Sequence, residues 1–345
     1  MSCKAPIKKP SLLRKLEMKK VFVTGADGML GSCICRELIE QGFSVKAMCH
    51  PSSKTNTIDT LAIEIVRGDV THKPTLSKEM EGCDMVIHVA AVMKLWPRRH
   101  KHMTSINVLG TKNVMEVAES LNMERMIHIG TASSFANGTL QQPGNEKSAF
   151  IGHKFRMDYI DSKYKAQQML LNQYKNSSFP VIIINPTFMI GPFDSGPSSG
   201  QMLIAIFNNS LKFYNQGGKN FVCTVDVAKA TVNALSKGKI GECYIAGNEN
   251  LSYIEFFQKA FKSMHKPFNM KGIPNFVLLM AGFMSSAKAR IDRKTPKLSY
   301  GIAQLAKENQ YFSAAKAVQE LNMPQTPIEI GIAQCLQWFK DHKYI

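Results

Sequence analysis

The sequence predicts an α/β fold, a doubly wound parallel sheet followed by a smaller, mostly helical C-terminal lobe. Three observations predict it. Short runs rich in β-branched and apolar residues alternate with helical patterns through the first half of the chain. Those runs, such as Met85-Val86-Ile87-His88-Val89, are apolar almost throughout, as strands covered on both faces must be. A glycine-rich turn, Gly25-x-x-Gly28-x-x-Gly31, links the first strand to the first helix.

The elements follow in order. Residues 21–24 read as a strand, 30–41 as a helix and 44–49 as a second strand. Residues 63–67, 85–89 and 125–130 read as further strands, with a helix over 105–121 before the last. A helix covers 157–174 and a buried strand 181–185. After Pro186 the rhythm breaks, and residues 191–200 are dense in glycine, proline and serine, the composition of a loop. A short strand at 242–246 is expected to rejoin the sheet edge; the remainder reads as helical. The expected division is a dinucleotide-binding domain over 18–190, with 221–246 returning to it, and a substrate-binding lobe from 191–220 and 247–345. Residues 1–17 read as a disordered basic tail ahead of a natural start at Met18.

Bulk composition narrows the class. With 345 residues, 44% hydrophobic and 20% charged, the chain can bury a sizeable core. Its formal charge of +17 sits in clusters: the first twenty residues, then Lys94, Arg98, Arg99 and Lys101, then Lys288 through Lys297. No zinc-finger spacing or RNA-recognition signature accompanies them, so they read as solvated basic surface and not as a nucleic-acid site. The eight cysteines form no CxxC pair and no metal spacing, which suits small reduced core residues and a cytoplasmic protein. No signal peptide follows the basic start. The longest apolar run, Phe276 to Met284, is too short to span a bilayer. It reads as a buried helix, or else as the lining of an apolar pocket or a membrane-surface contact.

The glycine turn reads as a dinucleotide site. Gly25 permits the sharp turn, Gly28 lets a pyrophosphate approach the helix N-terminus, and Gly31 permits close helix–strand packing. Met29 and Leu30, which open that helix, are further candidates to bind the cofactor. An acid normally ends the second strand where NAD is bound through its ribose. Here the chain reads Cys49-His50-Pro51-Ser52-Ser53-Lys54, so His50 and Lys54 are the candidates to face a 2′-phosphate. NADP(H) is therefore preferred, with NAD(H) possible. Asp69, followed by Val70, closes the third strand, either to accept from adenine or as a turn aspartate.

Tyr159 and Lys163 stand four apart on one helix face, where an ammonium group could lower the phenol pKa and make it a proton carrier; both are also candidates to touch the cofactor, Lys163 at the nicotinamide ribose. Beyond the strand ending at Gly130, Thr131 is the candidate hydroxyl for the substrate oxygen, with Ser133 second. Asn107 could brace the lysine through its backbone carbonyl and a water.

These motifs, together with His88-Val89-Ala90-Ala91, Gly110-Thr111, Asn185-Pro186 and Tyr244 to Ser252, resemble the extended short-chain dehydrogenase/reductase superfamily. The resemblance covers residues 18 to about 340. It is nearest to dihydroflavonol-reductase-like and 3β-hydroxysteroid-dehydrogenase-like members of the NAD-dependent epimerase/dehydratase family. It implies a Rossmann fold and hydride transfer between nicotinamide and a carbonyl or secondary alcohol, with Ala90, Ala91 and Pro186 also at the cofactor and Trp96 near substrate. It implies a small-molecule substrate and, from paired helices, a homodimer. Members that dehydrate sugar nucleotides carry an aspartate–glutamate pair where this chain has Ala132 and Ser133. The apolar lobe (Phe256, Phe257, Phe261, Phe268, Phe276, Phe283) favours a hydrophobic substrate, although the same residues would suit a lobe core. The alternatives are a sugar-nucleotide epimerase that retains NAD, and a non-catalytic dinucleotide sensor, for which a proton donor is superfluous.

Other signals are weaker. Gly196-Pro197-Ser198-Ser199-Gly200 has hydrolase spacing but lacks the strand that a nucleophile elbow requires. His100 and His102 have no acid or cysteine at ligand spacing, so no metal site is expected. Arg98 and Arg99 either grip an anionic substrate group or are solvated.

Overall fold

The computed structural model describes residues 18–296 and 298–345. The tail assigned to residues 1–17 lies outside them. The central sheet holds β1 (Lys20–Thr24), β2 (Ser44–Cys49), β3 (Glu64–Arg67), β4 (Met85–His88), β5 (Arg125–Ile129) and β6 (Val181–Pro186), with Cys243–Ala246 as a seventh strand. All pairings are parallel, in the spatial order β3-β2-β1-β4-β5-β6 and then Cys243–Ala246. The doubly wound Rossmann-like sheet expected from the apolar runs is present.

Alternation along each strand feeds two cores. Val21, Val23, Ile87, Ile127 and Ile182 pack with Leu30, Ile34 and Leu38 of α1 (Met29–Glu40) and with the helix Thr224–Lys237. Phe22, Val86, Met126 and Ile183 pack on the other face, against α2 (Lys73–Met80), α4 (Thr111–Ser120) and α5 (Asp158–Ser177). The short helix α3 (Lys101–Thr104) precedes α4, separated from it by a π-helical turn over Ser105–Gly110. That turn replaces the start of the uninterrupted helix expected from 105. Six of the described cysteines are buried and unpaired, and Cys83 is half-buried.

A smaller sheet joins Phe188–Ile190, Gly218–Cys223, Glu249–Ser252 and Asn309–Gln310. Phe221 to Cys223 therefore pair there, and the chain rejoins the layers of the central sheet from Thr224. A third core forms beside this sheet, where Phe221 stacks on Phe256 at 4.0 Å and Phe257 and Phe261 are buried with Trp338 and Phe339. Three of the six lobe phenylalanines are thus core. Phe276 and Phe283 are not. They lie on the helix Asn275–Ile291 and are 68% and 60% exposed. The expectation that the run from Phe276 to Met284 forms a buried helix is corrected: within it Leu278 and Gly282 are buried, while Phe276, Val277, Met280, Phe283 and Met284 face outward.

Candidate active site

β1 and β4 are neighbours, yet the chain leaves one toward β2 and the other toward β5, which opens a crevice at their C-terminal ends. Gly25 has φ +66°, and a Cβ there would stand 2.8 Å from the Ala90 backbone. A Cβ at Gly31 would stand 2.1 Å from the Gly25 carbonyl oxygen, so only glycine lets α1 come this close. Gly28 is exposed at the N-terminus of α1, and no side chain among the described residues caps that end. Uncapped backbone N–H groups beside glycines form a cradle that fits a pyrophosphate. Leu30 is buried in the core behind the turn and Met29 is half-buried. The Ala90 N–H donates to the Thr24 hydroxyl at 3.2 Å, fixing the opposite wall, and Ala91 is exposed beyond it.

At the tip of β2, His50 and Lys54 are both exposed. The His50 ring shares a hydrogen bond with Ser52 at 2.7 Å and stands 3.7 Å from the Asp69 carboxylate. Asp69 Oδ1 accepts from both the N–H and the hydroxyl of Thr71 at 2.8 Å, so one oxygen serves the turn. Burial works to raise the Asp69 pKa, and the Thr71 bonds outweigh it and hold the carboxyl below its ordinary value. Val70 is buried beside it, its carbonyl held by Asn113. Sequence reasoning missed Arg67. Register places it beside Cys49, and its guanidinium ties down the carbonyls of His50 (3.1 Å) and Ser53 (2.7 Å). Only the β2–β3 pairing reveals this proximity.

The helix α5 carries Tyr159 and Lys163 one turn apart. Its acidic first turn suits the helix dipole, and Arg99 locks it by pairing with Asp158 at 2.6 Å and Asp161 at 3.0 Å. Arg99 is therefore an anchor for α5 and not an anion grip, with its side chain 60% exposed as the solvated reading had it. Lys163 is buried and donates to the Ile129 carbonyl at the end of β5. Burial lowers its pKa to about 8. Tyr159 is half-buried and its pKa is raised by burial, while the adjacent Thr131 hydroxyl works the other way. The lowering expected from Lys163 is corrected on this point. The ammonium is spent on a backbone carbonyl, and desolvation dominates the phenol.

Asn107 is buried in the π-helical turn. Its side chain accepts from Val92 N–H at 2.8 Å and donates to the Val92 carbonyl and the Ser162 hydroxyl, both at 3.0 Å. The Asn107 carbonyl itself accepts from Thr111 at 2.7 Å. Its link to the lysine thus runs through Ser162, the neighbour of Lys163, and its carbonyl is taken by Thr111. Behind Lys163 lie two buried histidines in register, His88 and His128, with ring centroids 5.3 Å apart. His88 bridges Thr24 and Thr111, and burial holds its pKa near 3. Asn185, beside the buried Pro186, donates to the Thr131 carbonyl at 3.1 Å and to Gln167 of α5 at 2.8 Å, binding β6 to both. A Cβ at Gly130 would strike that amide.

Beyond Thr131, Ser133 lines a small cavity with Phe155 and Ile160, close to the start of α5. A larger cavity of about 710 Å³ is lined by Trp96, Arg98, Phe276, Met280, Phe283 and Tyr300, among others. It adjoins α5, since the Arg98 carbonyl accepts the Asp158 N–H at 2.8 Å. The Arg98 guanidinium donates to Gln304 at 3.1 Å and lies 5.8 Å from the Tyr300 ring centre.

The sheet order, glycine cradle and crevice define a dinucleotide-dependent enzyme fold. Residues 21–247 match the NAD dependent epimerase/dehydratase family, and the chain belongs to that family. It is 29% identical to a Synechocystis sp. protein provisionally named dihydroflavonol 4-reductase, over 94% of this chain and 95% of the relative. It is 24% identical to sterol demethylase protein B of Methylococcus capsulatus, over 94% and 99%. The crystal structure of gox2253 superposes with a TM-score of 0.83 at 29% identity, covering 94% of this chain and 98% of that one. The relatives include dihydroflavonol-reductase-like and 3β-hydroxysteroid-dehydrogenase-like members of the extended short-chain dehydrogenases. Membership makes the protein an NAD(P)-dependent oxidoreductase, epimerase or dehydratase.

Proposed function

We propose that the protein is an oxidoreductase acting on a CH–OH group (class 1.1.1.-), which interconverts a carbonyl and a secondary alcohol on a hydrophobic substrate, with NADP(H) preferred. The observation that carries this reading is the Thr131 hydroxyl against the Tyr159 phenol, with Lys163 one turn further along α5. The cofactor, when bound, supplies or takes the hydride. Gly25, Gly28 and the N-terminus of α1 hold its pyrophosphate, and Ala90, Ala91, Asp69, Val70 and Pro186 border its crevice. Thr131 orients the substrate oxygen. Tyr159 donates its proton to that oxygen as negative charge develops, and its raised pKa keeps it protonated at neutral pH, which suits reduction. Lys163 holds a positive charge at the end of β5, one turn along α5 from Tyr159, and Asn107 braces that turn through Ser162.

The charge on Lys163 predicts a pH dependence. The ammonium form dominates below about 8 and is lost above it, so reductive turnover is expected to fall as pH rises through 8. A kcat profile flat to pH 10 would remove that charge from the mechanism.

The apolar cavity supports a hydrophobic substrate, as does the sterol in the name of one relative. Ser133, Trp96 and Arg98 are the proposed substrate contacts. Sugar-nucleotide dehydration and epimerisation are disfavoured by Ala132 and Ser133 where dehydratases carry acids, and by the missing acid after β2. NADP preference rests on His50, Lys54 and Arg67. His50→Asp is expected to shift preference toward NADH. Arg67→Ala is expected to weaken NADPH relative to NADH roughly tenfold, about 1.4 kcal/mol. Fluorescence titration with both cofactors reads the ratio, and an unchanged ratio in both variants would refute the selection argument.

A further inference from the structure

The helix Asn275–Ile291 is two-sided in an uncommon way. Leu278, Gly282, Ser286 and Ala289 form its buried stripe. The opposite face carries Phe276, Val277, Met280, Phe283, Met284 and Ile291, each between 38% and 82% exposed. No charged residue interrupts the helix from Asn275 to Ala287. An exposed apolar patch of this kind marks an interaction surface.

Charge decides which partner it fits. Lys288 and Arg290 flank the apolar face in its last turns, and Arg293 and Lys294 follow. Two basic clusters far apart in sequence meet here, because Lys94 and His100 line a cavity of about 690 Å³ with Arg290, Arg293 and Lys294. Among the described residues, none of Lys94, Lys288, Arg290, Arg293 and Lys294 has a carboxylate within 4.0 Å. Large apolar side chains bordered by unpaired cations match acyl chains beneath anionic headgroups. A second copy of the chain would bring the same basic rim and a charge of +17 against itself. No helix among the described residues is long and apolar enough to cross a membrane, so the contact is with a surface.

We propose that this helix docks the protein on an anionic lipid surface. Phe276, Met280 and Phe283 belong both to the exposed face and to the wall of the 710 Å³ cavity. Docking therefore brings the mouth of that cavity to the acyl chains, a route for an apolar substrate that rests on the function proposed above.

Vesicle co-sedimentation of the full chain tests the docking itself without turnover. Binding is expected to vesicles of phosphatidylcholine with phosphatidylglycerol, and little to phosphatidylcholine alone. Val277→Ser/Met284→Ser/Ile291→Ser changes three exposed side chains that line neither cavity. It should lower partitioning by roughly tenfold or more without changing charge. Met284→Trp in the otherwise native chain should emit at shorter wavelength on the anionic vesicles, compared with the unsubstituted protein. Absence of binding overturns the proposal, as does binding that survives the triple substitution, or an unshifted emission. A dimer that the triple substitution splits in sedimentation equilibrium would give the face to a second copy and equally overturn it.

Discussion

Tyr159→Phe is expected to lower reductive turnover by roughly 10²- to 10⁴-fold, the usual contribution of a positioned proton donor. NADPH affinity is expected to stay within about twofold, since 1.4 kcal/mol separates each tenfold step. The substitution keeps the ring that packs with Phe155, Met157 and Ile160 and removes only the hydroxyl beside Thr131. Lys163 keeps its bond to Ile129 and α5 keeps its Arg99 anchor, so loss of fold is not the expected cause. Single-turnover kinetics with any carbonyl substrate found by screening, paired with a cofactor titration, separates chemistry from binding. Full activity in the variant would sink the proton-donor role.

Gly25→Val is expected to raise the NADPH dissociation constant by roughly 100-fold, about 2.8 kcal/mol. Two costs combine. The backbone has φ +66°, a region that β-branched residues enter only with strain, and the new Cβ would press on the Ala90 backbone. Ala90 is fixed by the Thr24 hydroxyl, so the clash is relieved by opening the crevice wall. Gly42→Ala provides the contrast. It shares a positive φ of +83°, but none of the described residues lies within 4 Å of its new Cβ, and it should leave cofactor affinity unchanged. Fluorescence titration of both variants measures the difference. Native affinity at Gly25→Val would remove this turn from the cofactor site.

The central sheet was legible because parallel strands buried on both faces must be apolar at successive positions, as β4 is. The helix Lys73–Met80 was not read, since only Leu76 and Met80 of its eight residues are buried and no long periodic pattern arises. The π-helical turn was hidden for another reason. Asn107 is held by Val92 and Ser162, 15 and 55 residues away, and such partners leave no local signal. In the candidate site, the glycine turn and the Tyr159–Lys163 spacing are local patterns and could be read directly. The environment of each group was not local. The lysine found the Ile129 carbonyl and Arg99 found Asp158 only through tertiary packing. The helix Asn275–Ile291 shows the same limit, because apolarity says that a face needs cover without saying what covers it.

The seventh strand, Cys243–Ala246, seals β6, yet the chain travels through the strand Phe188–Ile190 and much of the smaller sheet before reaching it. A growing polypeptide therefore completes its central sheet only after residue 246 has been synthesised. Until then Ile183 and Ile184 border an open edge whose backbone N–H and C=O groups await a partner. The last strand closes that flank with its own outer groups already engaged, the Ile245 N–H on the Glu146 carboxylate and the Cys243 carbonyl on the Lys316 ammonium, both at 2.8 Å.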